Sequence, residues 1–202
     1  MAVTSDTRMR MSAEERRVQL LDASKAVVGE QGFHGVSIDA VAKRAGVSRP
    51  IVYAHFGDLG GLLEAMLERE SESALRQLAE VLPTQLEAES SREALLSALR
   101  AYLEVVRADP VTWRLVLMPP EGAPQLLRDQ ITSGRDAVIY VLATAVEQGA
   151  SPGPVSPDPE LTARMLSAIA DESARLLLTH PRRFSIDRLT SHAGWLLDQL
   201  GA

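Results

Sequence analysis

The sequence predicts an all-α chain, with a small three-helix domain at its N-terminus and a larger helical domain after it. Two observations carry this. Apolar residues recur at spacings of three and four, and no stretch alternates apolar with polar over strand length. Gly, Pro and Ser/Asp punctuation falls at the ends of those periodic stretches, where helices start and stop. With 202 residues, the chain can hold a small domain and a larger one.

The first stripe, Glu14–Gln31, carries Leu20, Leu21, Ala23, Val27 and Val28, with Ser12 as its N-cap and Gly32-Phe33 as its stop. Ser37 caps a second helix with Ile38, Val41, Ala42 and Ala45 on one face, and Gly46 ends it. Ser48 caps a third, with Pro50 in the first turn, where a missing N–H costs little. Asp58 caps a long helix over Leu59–Leu82, expected to end at Pro83. Further helices are expected over about Ser91–Arg107, Pro110–Leu117, Gln125–Gln148, Pro159–Thr179 and Ile186–Leu200. The runs "MPPEGAP" (118–124) and "GASPGPVSPDP" (149–159) read as loops. The expected organisation is a flexible arm over 1–12, a three-helix domain over 13–57 and a helical domain over 58–202.

The stretch Ala45–Phe56, "AGVSRPIVYAHF", is the informative one. Two helices that cross steeply need a small residue at the contact, a turn residue free to take positive φ, and a compact residue facing back. Ala42, Gly46 and Val52 supply these in order, as in a helix-turn-helix unit. Ser48, Arg49, Pro50, Tyr53 and His55, with Ile51, are then left on the outer side of the second helix, which can enter a major groove. Arginine offers a two-pronged donor to guanine, and an apolar ring can meet a thymine methyl. Hydroxyls and the helix N-termini at Ser37 and Ser48 suit phosphates, and Lys43 lies close by.

The segment "LLDASKAVVGEQGFHGVSIDAVAKRAGVSRPIVYAHFGDLGGLL" resembles the DNA-binding domain of the tetracycline-repressor (TetR) family over about residues 16–67. The Gly32-Phe33 stop, the Ser37 cap, the Ala42–Gly46–Val52 skeleton and the Tyr53-x-x-Phe56 close occur together. The resemblance implies an all-helical homodimer whose first three helices bind DNA and whose C-terminal domain binds an inducer and dimerises. The chain departs from the family pattern twice. Pro50-Ile51 stands where a small Gly or Thr pair is common, and Leu59 stands where a phosphate-contacting lysine is common. Tyr53 and His55 are left to anchor the DNA backbone.

Charge agrees with a confined DNA contact. Residues 1–60 hold eight Lys/Arg and seven Asp/Glu, whereas residues 61–202 hold thirteen and twenty. An acidic body repels polyanions. Arg8 and Arg10 in the arm are candidates for the minor groove. There is no cysteine, which removes disulfides and thiolate chemistry, and no apolar run approaches the ~20 residues of a membrane span. The first residues lack the apolar stretch of a signal peptide, so a cytoplasmic protein is expected. His34, His55, His180 and His192 are scattered, and no G-x-S-x-G or H-x-x-x-H pattern occurs, so neither an enzyme nor a metal or cofactor site is expected.

In the larger domain, Tyr102, Trp113, Tyr140 and Met118 are candidates for an apolar ligand pocket. Asp171-Glu172 is an acidic pair on an otherwise apolar helix. Glu172 is either paired with an arginine such as Arg135 or Arg175, or at an exposed rim position, or a polar anchor for a ligand or dimer contact. The last two helices are apolar around much of their girth, which points to a dimer interface through Leu166, Leu177, Trp195, Leu196 and Leu200. The expected function is a homodimeric transcriptional repressor that binds double-stranded DNA at a palindromic operator and is released by a small, largely apolar ligand. Two alternatives stand beside it: a DNA-binding regulator controlled by a protein partner, and a helical small-molecule binder or enzyme with a vestigial DNA-binding domain.

Overall fold

The computed structural model describes residues 11–86, 91–121, 125–147 and 156–200. Among these the protein is helical without strands. The helices are α1 (Ala13–Gln31), α2 (Ile38–Ala45), α3 (Arg49–Phe56), α4 (Leu59–Leu86), α5 (Ser91–Ala108), α6 (Pro110–Leu117), α7 (Gln125–Glu147), α8 (Pro159–Thr179) and α9 (Ile186–Leu200). A 3₁₀ turn, Phe33–Gly35, joins α1 to the α2 segment. The chain forms two compact units that part between Met66 and Leu67. The arm arginines Arg8 and Arg10 lie outside the described residues, as does most of the 149–159 loop.

The first unit starts from a capping box. Ser12 Oγ accepts from the Glu15 N–H, and the Glu15 carboxylate accepts from the Ser12 N–H at 2.7 Å. The apolar face of α1, Leu20, Leu21, Ala23 and Val27, is buried, as are Ile38, Val41 and Ala42 of α2 and Val52 of α3. Gln19 Nε2 donates to the Ala45 carbonyl, fixing α1 against the end of α2. Arg17 lies 4.8 Å from the centre of the Phe56 ring and covers the end of α3.

α4 opens with Asp58, whose carboxylate accepts from the Gly61 N–H at 2.8 Å. A Cβ at residue 61 would run into the Phe56 carbonyl oxygen, so the chain can turn here only with glycine. The helix runs through Pro83 to Leu86 instead of stopping there. A proline in the final turns forfeits one N–H bond, a loss that the helix end tolerates.

In the second unit α7 packs on α8, and α5 on α8 and α9, around a core that includes Leu103, Val106, Trp113, Ala174, Leu177 and Ile186. Arg92 forks onto Asp198 at 2.5 and 2.9 Å, and Arg100 bonds Asp187 at 2.7 Å, which aligns α5 with α9. Arg114 and Arg175 donate to the Leu178 and Leu117 carbonyls and so tie α6 to α8 from both sides. Between α4 and α6 the core is polar. Glu70 is only 2 % exposed, paired with Arg69 and hydrogen-bonded by the Thr112 hydroxyl. Gln77 accepts from the Trp113 indole N–H at 3.0 Å in the next turns.

Candidate nucleic-acid interface and cavity

The helix-turn-helix is built by its small residues. Ala42 is 4 % exposed and Val52 fully buried, so α3 crosses close over α2. Gly46 has φ 67°, in the left-handed region that side-chain-bearing residues avoid. The Gly46 N–H meets the Lys43 carbonyl, and the Val47 N–H reaches back to Ala42 at 3.0 Å. That pair of bonds closes α2 and turns the chain straight into α3.

Ser37 occupies its expected cap, its hydroxyl accepting from the Ala40 N–H at 3.1 Å. Ser48 stands at the α3 N-cap position, but its side chain makes no capping bond. The expected cap is therefore a backbone turn, with the Ile51 N–H on the Ser48 carbonyl at 3.1 Å. Ser48, Arg49, Pro50 and Tyr53 are exposed together, Tyr53 by 50 %. Lys43 is exposed on α2, while His55 is half-buried beside Phe56. Pro50 lies in the first turn of α3 as expected. Two contacts were not visible in the sequence. Arg49 forms an ion pair through its Nε with Asp39 of α2, and Arg44 pairs with Glu30 of α1 at 2.9 Å.

Within the second unit lies an apolar cavity of about 170 Å³. Leu78, Leu99, Trp113, Val138 and Ile169 are among its walls, and Tyr102 closes one side. Tyr102 and Trp113 meet edge to face, 5.2 Å between centres. A cavity of ~150 Å³ accepts a benzene-sized guest, so a longer ligand must part the rim. Ser71, Gln130 and Ser167 also border the cavity, and its charged part is the group around Asp171. Its carboxylate accepts from Arg135 at 2.8 Å and faces the Tyr102 hydroxyl at 3.5 Å. Burial, then the Asp171 charge, pushes the Tyr102 phenol far above its ordinary value, so it stays protonated and acts as donor.

The candidate ligand residues do not all gather here. Tyr102 and Trp113 line the cavity. Met118 packs against the neighbouring core without lining it. Tyr140 is 74 % exposed, because its neighbour Ile139 takes the inward side of α7. Glu172 is turned outward, with Arg175 at 3.5 Å, and lines a second, more open depression between α8 and α9. Of the acidic pair it is Asp171, one residue earlier, that reaches the cavity. Arg135 joins it, a role the sequence raised only as a partner for the pair.

Among the candidate interface residues, Leu177 is 6 % exposed in the core, and Leu166 and Leu196 line the cavity. Trp195 is 54 % exposed and stacked on His192. The side chain of Leu200 lies outside the described residues. The exposed apolar face of α8 is made by Leu161, Met165 and Ile169. Among the described residues no cluster of His, Cys, Asp or Glu could hold a metal ion, and no helix is long and apolar enough to cross a membrane.

Comparison with known proteins agrees with this geometry. The family model described as bacterial regulatory proteins, tetR family, matches residues 20–66. The chain is 30 % identical over 185 residues to the HTH-type transcriptional activator FasR of Mycolicibacterium smegmatis, covering 88 % of this chain and 79 % of that protein. It is 36 % identical over 127 residues to the regulator BetI of Yersinia pestis, covering 59 % of this chain and 62 % of BetI. A TetR-like transcriptional regulator from Rhodococcus sp. RHA1 superposes with TM-score 0.71 at 27 % identity, over 93 % of this chain and 96 % of that one. FadR of Bacillus subtilis, solved in complex with stearoyl-CoA, superposes with TM-score 0.66 at 19 % identity, over 89 % and 96 % of the two chains. With a helix-turn-helix closed on Ala42, Gly46 and Val52, and relatives that regulate transcription over most of its length, the chain belongs to the TetR family of bacterial DNA-binding transcriptional regulators.

Proposed function

We propose that the protein is a ligand-responsive repressor that binds a palindromic operator as a homodimer and is released by a small, largely apolar molecule held in the second unit. The observation that carries this is the cavity: mostly apolar walls, two aromatic rings edge to face, and few polar groups, with the Asp171–Arg135 pair among them. Small-molecule sites are lined in this way, with few polar groups to orient the guest. That FadR was solved with a long-chain thioester supports an apolar guest. α4 supplies the route to the DNA-reading unit. It puts Leu75 and Leu78 in the cavity wall, and its first residue, Leu59, follows α3 by two residues. A ligand that prefers one setting of α4 shifts the population by its differential affinity and no more.

Arg49 reads a base edge in this proposal. Tyr53, His55, Lys43, Ser37 and Ser48 hold the backbone, and Pro50 starts the reading helix in register. Dimerisation uses the exposed apolar faces of α8 and α9, around Met165 and Trp195. The name of FasR, an activator, favours a second version in which the same binding switches transcription on. A reporter placed behind the bound sequence separates the two.

The test begins with selection of bound sequences from random DNA, which should yield an inverted repeat. Arg49→Ala should then cost roughly 1–3 kcal/mol on that site and relax one base position. A panel of aliphatic and aromatic compounds is screened by quenching of Trp113 in a Trp195→Phe background, and hits are scored for operator release. Hits that quench without releasing DNA remove the release step, and no hits from any chemical class remove the small-molecule reading.

A further inference from the structure

We infer that Asp39 is a positioning residue for sequence reading: it holds Arg49 through Nε, so that the terminal fork of the guanidinium is offered to a base edge and withheld from phosphates. This deepens the assignment of Arg49 as the base reader and rests on it. Asp39 is the one acidic residue in the whole of α2 and α3. It lies in the first turn of α2 and meets the first residue of α3. Both side chains are well exposed, 65 % for Arg49 and 60 % for Asp39.

An ion pair so open to water adds little to folding stability. A carboxylate on a surface that approaches phosphates lowers affinity for every DNA sequence. Asp39 supports the α2 dipole from the first turn with or without Arg49, so it is the pair with Arg49, and not the carboxylate by itself, that is assigned to discrimination. Anchoring the guanidinium before DNA arrives reduces the rotamer freedom lost on binding. The closest approach of the carboxylate is at Nε, and the far edge of the guanidinium, formed by its two Nη groups, is the edge able to span guanine O6 and N7. A phosphate that approached Arg49 would instead meet the Asp39 charge, which acts against the wrong partner.

The experiment measures binding of the full chain to its selected operator and to a random duplex, across a salt series, for the wild type, Asp39→Asn, Arg49→Ala and the double variant. Thermal unfolding of each variant checks that the fold is kept. Asp39→Asn is expected to tighten binding to random DNA, to lower the operator-to-random ratio by roughly tenfold, and to steepen the salt slope by about one. In the Arg49→Ala background, Asp39→Asn should leave the ratio unchanged. Equal shifts on both duplexes overturn the inference, as does a ratio effect that persists without Arg49. If Arg49→Ala itself changes no base preference, the assignment of Arg49 has failed, and that outcome is separate from a neutral Asp39→Asn beside a damaging Arg49→Ala.

Discussion

Single residues in this chain act mostly through what they exclude. Ala42 and Val52 admit a close crossing of α2 and α3, and both were legible because size and spacing alone specify them. The Arg49–Asp39 pair was not legible, since its partners come from different helices and only the turn at Gly46 brings them together. The same holds for Glu70, whose burial at the α4–α6 contact no periodicity signals. A buried carboxylate keeps its place only while its hydrogen bonds hold. Thr112→Val removes the hydroxyl that donates to Glu70 and should destabilise the protein by about 1–3 kcal/mol in urea unfolding. A neutral outcome would show that the Thr112 hydroxyl is not needed to keep Glu70 in place.

Helices, as elements, announce their ends through caps, and most boundaries here follow from Ser12, Ser37, Gly46 and Asp58. Two ends do not. Ser48 leaves its cap bond unmade, and α4 passes through Pro83, because a cap and a proline are both local preferences that neighbouring turns can override. The α1 cap has a pH signature. Hydrogen bonds from the Ser12 N–H and hydroxyl hold the Glu15 carboxyl below its ordinary value, against a small opposing effect of burial. Its folded pKa is thus the lower one, so its support for α1 is complete above the ordinary carboxylate range and is lost as pH falls through the folded value. Protection of the first-turn amides of α1, taken as exchange relative to an unstructured chain at the same pH, should therefore fall on acidification from about pH 6 to about pH 3. Glu15→Gln keeps an acceptor at the same reach and should flatten that dependence. An unchanged profile would place the cap's strength elsewhere.

At the scale of the whole molecule, the helical class was written in hydrophobic spacing, whereas the cavity was not. Which of several aromatics share one void depends on how six helices rotate about their axes. Trp113 and Tyr102 turned inward and Tyr140 outward for that reason. The same rotation puts Leu177 in the core and leaves Met165, 62 % exposed, on the outer face of α8. Met165→Glu perturbs no buried contact, so it should leave thermal stability of the isolated chain close to that of wild type while shifting sedimentation from dimer to monomer. A dimer of undiminished strength would move the interface away from α8.

The turn into α4 has a consequence for inheritance. Every single-nucleotide missense change in a glycine codon adds a Cβ, and at residue 61 any Cβ collides with the Phe56 backbone oxygen. At residue 60 the nearest obstacle is the Asp58 carboxylate, 3.1 Å away, a side-chain end that can yield at the expense of its cap bond to the Gly61 N–H. Two adjacent glycine positions should therefore differ sharply in mutational tolerance. In a scan of every codon for operator binding in living cells, Gly60 should accept substitutions while Gly61 remains empty of them.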